Sequence, residues 1–148
     1  MISSCFTAYT DGACKQNSSW VGGWALVIVS ENNEIVRKIS GRVENTTNSR
    51  MEIEAVLEVI KFLKDQNQIN IVSDSSYVVN TINGWLEKWV SEGSYFNKAN
   101  RDLWDKYLEL SKGKKIVATH VRGHSGVYFN EIADNLAVNA IRGNCVNE

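Results

Sequence analysis

The chain has 148 residues, of which 43% are hydrophobic and 22% charged, and its formal net charge is −1. That length fits one domain, residues 1–148, and the composition excludes a disordered or fibrous chain. It also excludes the broad basic excess of many polyanion binders, so any nucleic-acid contact must rest on local positive charge or on metal ions.

The three cysteines, Cys5, Cys14 and Cys145, form no CxxC pair. Their odd number argues against a disulfide framework or zinc knuckle and for a reducing compartment. The opening MISSCFTAYTDG has no basic stretch followed by an apolar run. No segment approaches the roughly 20 apolar residues of a membrane span. The expectation is a cytoplasmic protein with no membrane partner, and nothing demands more than a monomer.

With no prolines in the chain, turns fall to Gly, Asn, Asp and Ser. Cys5–Thr10 reads as a short strand and Asp11–Val21 as a loop running into Gly22-Gly23. Trp24–Ser30 is a mostly apolar strand, residues 31–34 are a turn, and Ile35–Val43 alternates like a half-buried strand. The period then changes. Ile53, Val56, Leu57, Ile60 and Leu63 place a helix at about Arg50–Gln66. Ile69–Ser73 is a compact apolar strand. Ser75–Asn83 and Trp85–Val90 read as short helices, Ser91–Ala99 as a loop and Asn100–Ser111 as a helix. Ile116–Val121 is a strand, residues 123–126 form a loop, and Asn130–Ile141 is a last helix. The order predicts an α/β domain with a mixed sheet, an antiparallel front half and helices packed on it.

Four acidic residues stand where chemistry is delivered. Asp11 ends the first strand and Asp74 follows the fourth, so both fall at carboxyl ends of strands, where open sheets bind ligands. Glu52 lies in the first turn of the long helix and Asp134 in the first half of the last one. Singly, each has an ordinary reading. Asp11-Gly12 is a turn pair, Ser49-x-x-Glu52 matches a capping box, Asp74-Ser75 matches a helix N-cap, and Asp134 is a surface charge beside an apolar stripe. Together, four carboxylates repel one another severely. Hard divalent cations with oxygen ligands resolve that repulsion.

The motifs around these residues occur in a familiar order. They are Tyr9-Thr10-Asp11-Gly12-Ala13-Cys14, then Thr46-Thr47-Asn48-Ser49-Arg50-Met51-Glu52, then Ser73-Asp74-Ser75-Ser76-Tyr77-Val78. Val121-Arg122-Gly123-His124-Ser125-Gly126 and Asn130-Glu131-Ile132-Ala133-Asp134 complete the set. The chain resembles the type 1 ribonucleases H over residues 9 to 134. The resemblance implies a ribonuclease H-like fold, with a five-stranded mixed sheet, three strands antiparallel and two parallel, flanked by helices. It implies an endonuclease that hydrolyses the RNA strand of RNA–DNA hybrids and leaves 5′-phosphate and 3′-hydroxyl ends. Asp11, Glu52, Asp74 and Asp134 would hold two Mg²⁺ ions, with Mn²⁺ also accepted, in a two-metal mechanism. His124, in its glycine-flanked loop, would assist water activation or product release. His120, the other histidine, is given a structural role.

The resemblance also implies substrate contacts. Cys14, Asn17, Glu52 and Ser76 would face 2′-hydroxyls, which distinguish RNA from DNA. Family members carry a larger residue where Ser76 stands. Thr47, Asn48 and Asn100 would grip a DNA-strand phosphate, and Asn45 replaces an arginine that often precedes this pocket. Tyr77, Trp85 and Trp89 resemble an aromatic channel crossed by the DNA strand; as plain residues they also fit core packing. Between Trp85 and Asp102 many relatives carry a lysine-rich protrusion. Here Lys88, Lys98 and Arg101 are offset by Glu87 and Glu92, which predicts weaker, metal-dependent hybrid binding with a shallow salt dependence. Two other readings compete: a related 3′–5′ exonuclease or strand-transfer domain of the same superfold, and a catalytically silent hybrid-binding module.

Overall fold

The computed structural model of the chain describes residues 5–15, 20–122 and 127–148. Strands β1 (Thr7–Lys15), β2 (Val21–Val29) and β3 (Ile35–Val43) form an antiparallel meander. Helix α1 (Asn48–Phe62) leads to β4 (Gln68–Ser73), which lies parallel to β1. Helices α2 (Ser76–Asn80), α3 (Leu86–Glu92) and α4 (Arg101–Leu110) follow. Then come β5 (Lys115–His120), parallel to β4, and α5 (Tyr128–Ile141). The sheet order is β3-β2-β1-β4-β5, three antiparallel strands followed by two parallel ones, as expected.

Both faces of the sheet's centre are covered. Ala8, Leu26, Ile28, Ile69 and Ile71 pack beneath α1 and α4 in one cluster with Trp104, which is fully buried. On the opposite face Tyr9, Val27 and Val29 meet Phe129, Ala133 and Leu136 of α5. Coverage on both sides is why β2 reads VGGWALVIV without alternation.

The first strand is longer than its sequence suggests. It does not stop at Thr10: Asp11 to Lys15 stay paired with β2 back to Val21, so Gly22 and Gly23 are strand residues rather than a loop end. The polar, glycine-rich stretch masks the strand, and tertiary pairing overrides the local signal. A side chain on Gly23 would run into the Ala137 carbonyl of α5. The glycine therefore marks a close helix–sheet approach rather than a turn.

The two short helices expected over 75–90 form one run. A π-helical turn at Thr81–Trp85 joins α2 to α3, and Thr81 Oγ1 donates to the Tyr77 carbonyl at 2.6 Å. From this wide turn the Asn83 amide exchanges two hydrogen bonds, 2.9 and 3.2 Å, with the Ala118 backbone. They cover part of the open edge of β5. Gly93, in the left-handed region at φ 77°, ends α3. The expected loop over 91–99 holds the end of α3 and a single 3₁₀ turn, Tyr95–Asn97. At the other edge the chain end returns to β3: Ser40 N donates to the Val146 carbonyl at 2.9 Å and Glu148 N to the Lys38 carbonyl at 2.8 Å. Nothing in the string NCVNE signals that pairing. No helix among the described residues is long and apolar enough to cross a membrane.

Candidate active site

Strand register brings two of the four acidic residues together. The parallel ladder of β1 and β4 ends at Thr10 opposite Ser73, so Asp11, still in β1, and Asp74, just past the end of β4, are the next residues after that pair. Glu52 arrives from α1. That helix is capped by Thr47, whose Oγ1 accepts from Arg50 N at 3.2 Å. Ser49 therefore lies inside the helix, and the Ser49–Glu52 capping box does not form. Glu52 turns to the sheet instead. Its Oε1 accepts the Gly12 N–H at 2.5 Å and its Oε2 the Ser73 hydroxyl at 3.4 Å. Ser75, not Asp74, caps α2 by accepting from Val78 N at 3.2 Å. Asp11-Gly12 is strand, not turn.

Ligand oxygens of Asp11, Glu52 and Asp74 all lie within 4.8 Å of one another. Asp11 is 3% and Glu52 7% exposed. Asp134 joins from α5 through a side-chain hydrogen bond with Asp11. That helix is held over β1 by Ala133 and by the Tyr9–Phe129 contact, 5.3 Å between ring centroids. Burial pushes the Asp11 carboxyl well above the usual carboxylate range. Its hydrogen bond with Glu52 and the charges of Glu52 and Asp74 add to the shift. Burial also raises Glu52, partly opposed by hydrogen bonds from Asp11, Gly12 and Ser73.

A hard, all-oxygen donor set, desolvated and self-repelling, fits a divalent cation. Cation binding needs ionised carboxylates, and these two hold their protons above the ordinary range. Affinity for Mg²⁺, read by calorimetry, should fall at least about tenfold from about pH 8 to about pH 6. Equal affinity at both would contradict the mutual destabilisation of the carboxylates.

The remaining expected site residues sit around this cluster. Cys14, half-buried on β1, donates from Sγ to the Thr46 carbonyl at 3.4 Å. Thr47 and Asn48 are exposed at the start of α1, and Ser76 is exposed at the start of α2. Arg50 ties α1 to α4: Nη1 donates to Asn100 Oδ1 at 3.5 Å, and its guanidinium forms a two-pronged pair with Asp102 at 3.0 and 2.8 Å. Asn100 Nδ2 and Trp104 Nε1 both donate to the Tyr77 hydroxyl, at 3.3 and 2.9 Å. Tyr77 is thus a packed structural hub as well as a surface residue. Trp85 and Trp89 neighbour each other, with centroids 6.1 Å apart. His120 Nε2 lies 3.2 Å from the Asp74 carbonyl. Asn17 and His124 lie outside the described residues.

Gly12, Ser73 and Arg50 belong to the site and were not singled out as site residues by sequence. All three stand inside the quoted motifs, Gly12 beside Asp11, Ser73 beside Asp74 and Arg50 two residues before Glu52, but the motifs do not say what these residues bond. The contacts of Ser73 and Arg50 span 21 and 52 positions, and no local pattern encodes them.

Carboxylates from a strand, a helix, a strand end and a second helix, gathered above a mixed sheet, define an α/β enzyme domain with a cation-suited centre. A sequence profile described as RNase H matches residues 3–142. The chain belongs to the type 1 ribonuclease H family. It is 43% identical over 141 residues to a ribonuclease H of Thermoanaerobacter sp. (strain X514), covering 92% of this chain and 89% of that protein. It is 41% identical over 133 residues to a ribonuclease H of Campylobacter concisus (strain 13826), covering 90% of each. Among solved structures, LC9-RNase H1 superposes with a TM-score of 0.86 at 25% identity, covering 100% of this chain and 79% of that one. RNase H1 of the halophilic archaeon Halobacterium salinarum NRC-1 gives 0.71 at 26%, covering 93% and 98%.

Proposed function

We propose that this chain cuts the RNA strand of RNA–DNA hybrids internally, with Asp11, Glu52, Asp74 and Asp134 holding two divalent ions, Mg²⁺ by preference. The observation that carries the reading is the convergence of three carboxylates within 4.8 Å, with Asp134 bonded to the buried Asp11. When bound, the ions supply activation of water and stabilisation of the departing 3′-oxygen, which gives 5′-phosphate and 3′-hydroxyl ends.

The protein's share is positioning. Gly12 N–H and the Ser73 hydroxyl fix the two oxygens of Glu52 separately, so its carboxylate is aimed before substrate arrives. Asp11 and Asp74 inherit their separation from the hydrogen-bonded β1–β4 ladder that ends just before them. His124 would assist water activation or product release by taking up and returning a proton at its imidazole. Thr47 and Asn100 flank Arg50 on two helix starts, an arrangement suited, with Asn48, to a DNA-strand phosphate. Cys14, Asn17, Glu52 and Ser76 face the 2′-hydroxyls, and Tyr77, Trp85 and Trp89 border the DNA strand.

The test is an internally labelled hybrid with both ends blocked, incubated with Mg²⁺ with and without a chelator. Internal RNA fragments, abolished by the chelator, are expected. Uncut RNA would favour an exonuclease or a silent binding module instead.

A further inference from the structure

The surface leading away from the carboxylates toward α4 has an unusual make-up. Residues 85–102 carry Lys88, Lys98 and Arg101 against Glu87, Glu92 and Asp102, so the six charges cancel. Two of the three cations are laid on aromatic rings. Lys98 Nζ sits 4.7 Å from the Trp89 centroid. The Arg101 guanidinium sits 4.7 Å from Phe96 and 5.9 Å from Tyr95. Phe96 is nonetheless 67% exposed and Trp85 43% exposed. Tyr95 is buried, its hydroxyl donating to Asp105 at 2.6 Å, so the turn that displays Phe96 is anchored. Asn100, the residue before Arg101, is bonded to Tyr77 and Arg50, on the two helices that follow Asp74 and carry Glu52. The aromatic surface is therefore fixed to the site.

A paired hybrid offers phosphates and groove edges, and its base faces are stacked on one another. A charge-neutral surface gains little from neutralising phosphates. Exposed rings backed by stacked cations gain from free base faces, which only unpaired nucleotides present. We infer that Phe96 and Arg101, in the same segment as Trp85 and Trp89, bind unpaired nucleotides of the DNA strand where it runs out of the hybrid. The protein would thus favour hybrids that border single-stranded DNA. This inference rests on the hybrid-cleaving reading and adds a substrate preference to it.

The experiment compares KM for three substrates with the same hybrid: blunt, extended by single-stranded DNA at either end, and extended by an abasic strand of equal length. For wild type, the base-bearing extension at one end should lower KM roughly fivefold or more, the worth of about one stacked base. The abasic extension, with phosphates but no bases, should give no such gain. In Phe96→Ala the KM values for blunt and extended hybrids should converge, and Phe96→Trp should keep them apart. The gain should persist as salt is raised, as stacking does and phosphate attraction does not. Equal KM for blunt and extended hybrids, an equal gain from the abasic strand, or an undiminished gain in Phe96→Ala would each overturn the inference. Failure to cut any hybrid would instead overturn the reading beneath it.

Discussion

An Asp11→Asn variant should lose hybrid cleavage by about a thousandfold or more while folding normally. Asp11 stands among the other three carboxylates of the site: Glu52, Asp74 and Asp134 all act on it. Taking its charge away weakens the hold on the divalent ions, and about 4 kcal/mol of lost transition-state stabilisation corresponds to a thousandfold in rate. The same change should stabilise the cation-free protein.

A carboxyl whose folded pKa lies above its unfolded value contributes stability that is present below about pH 4 and drains away as pH rises toward the folded value. Asp11 is such a group, so at about pH 8 without metal the wild type bears the cost of holding, when folded, a proton that the unfolded chain releases. Asparagine removes that cost and can donate to Glu52. A gain of about 1–2 kcal/mol, or roughly 3–6 °C in Tm, is expected there, shrinking at about pH 4. Substantial residual cleavage would refute the place of Asp11 in the metal site. A lower Tm at about pH 8 would refute the account of the electrostatics.

The second large effect should come from a residue with no functional group. A methyl on Gly12 would run into the backbone of Glu52 and Met51, and would stand 2.8 Å from Met51 Cβ. Neither β1, held between β2 and β4, nor α1, buried along one face, can give way as a flexible side chain would. Gly12→Ala should therefore cost about 3 kcal/mol, the upper end for overpacking. It should also push Glu52 off its Gly12 hydrogen bond. Cleavage should fall about a hundredfold even well below the lowered Tm, because the carboxylates lose their mutual placement. Gly84→Ala is the control: nothing lies within 4 Å of a methyl there, and that variant should keep wild-type stability or gain slightly. A wild-type Tm for Gly12→Ala would mean that β1 and α1 approach less closely than described.

Much of the fold was legible because hydrophobic period reports which faces are buried. The stripe from Ile53 to Leu63 placed α1, and the compact run Ile69–Ser73 placed β4. The alternation over 35–43 placed β3. Legibility failed where a residue's conformation is set by distant partners. Asp11–Lys15 looked like loop because polar and small residues there are held by β2 rather than by their own propensity. Ser49 and Asp74 looked like caps because cap signals are local, while Thr47 and Ser75 won those places one or two residues away. The return of residues 146–148 to β3 had no local signal at all.

The sequence by itself determined the chemistry available: four acidic residues in motifs whose order and spacing match one family, on a chain with no broad basic excess. Only the tertiary structure decided how those residues meet. Parallel register sets Asp11 beside Asp74, and Gly12 lets α1 come close enough for Glu52. The packing of Ala133 and Phe129 lowers Asp134 onto Asp11. The physical reason is range. Residue type and period act over a few positions, whereas burial and repulsion among carboxylates act across chain separations that only folding closes.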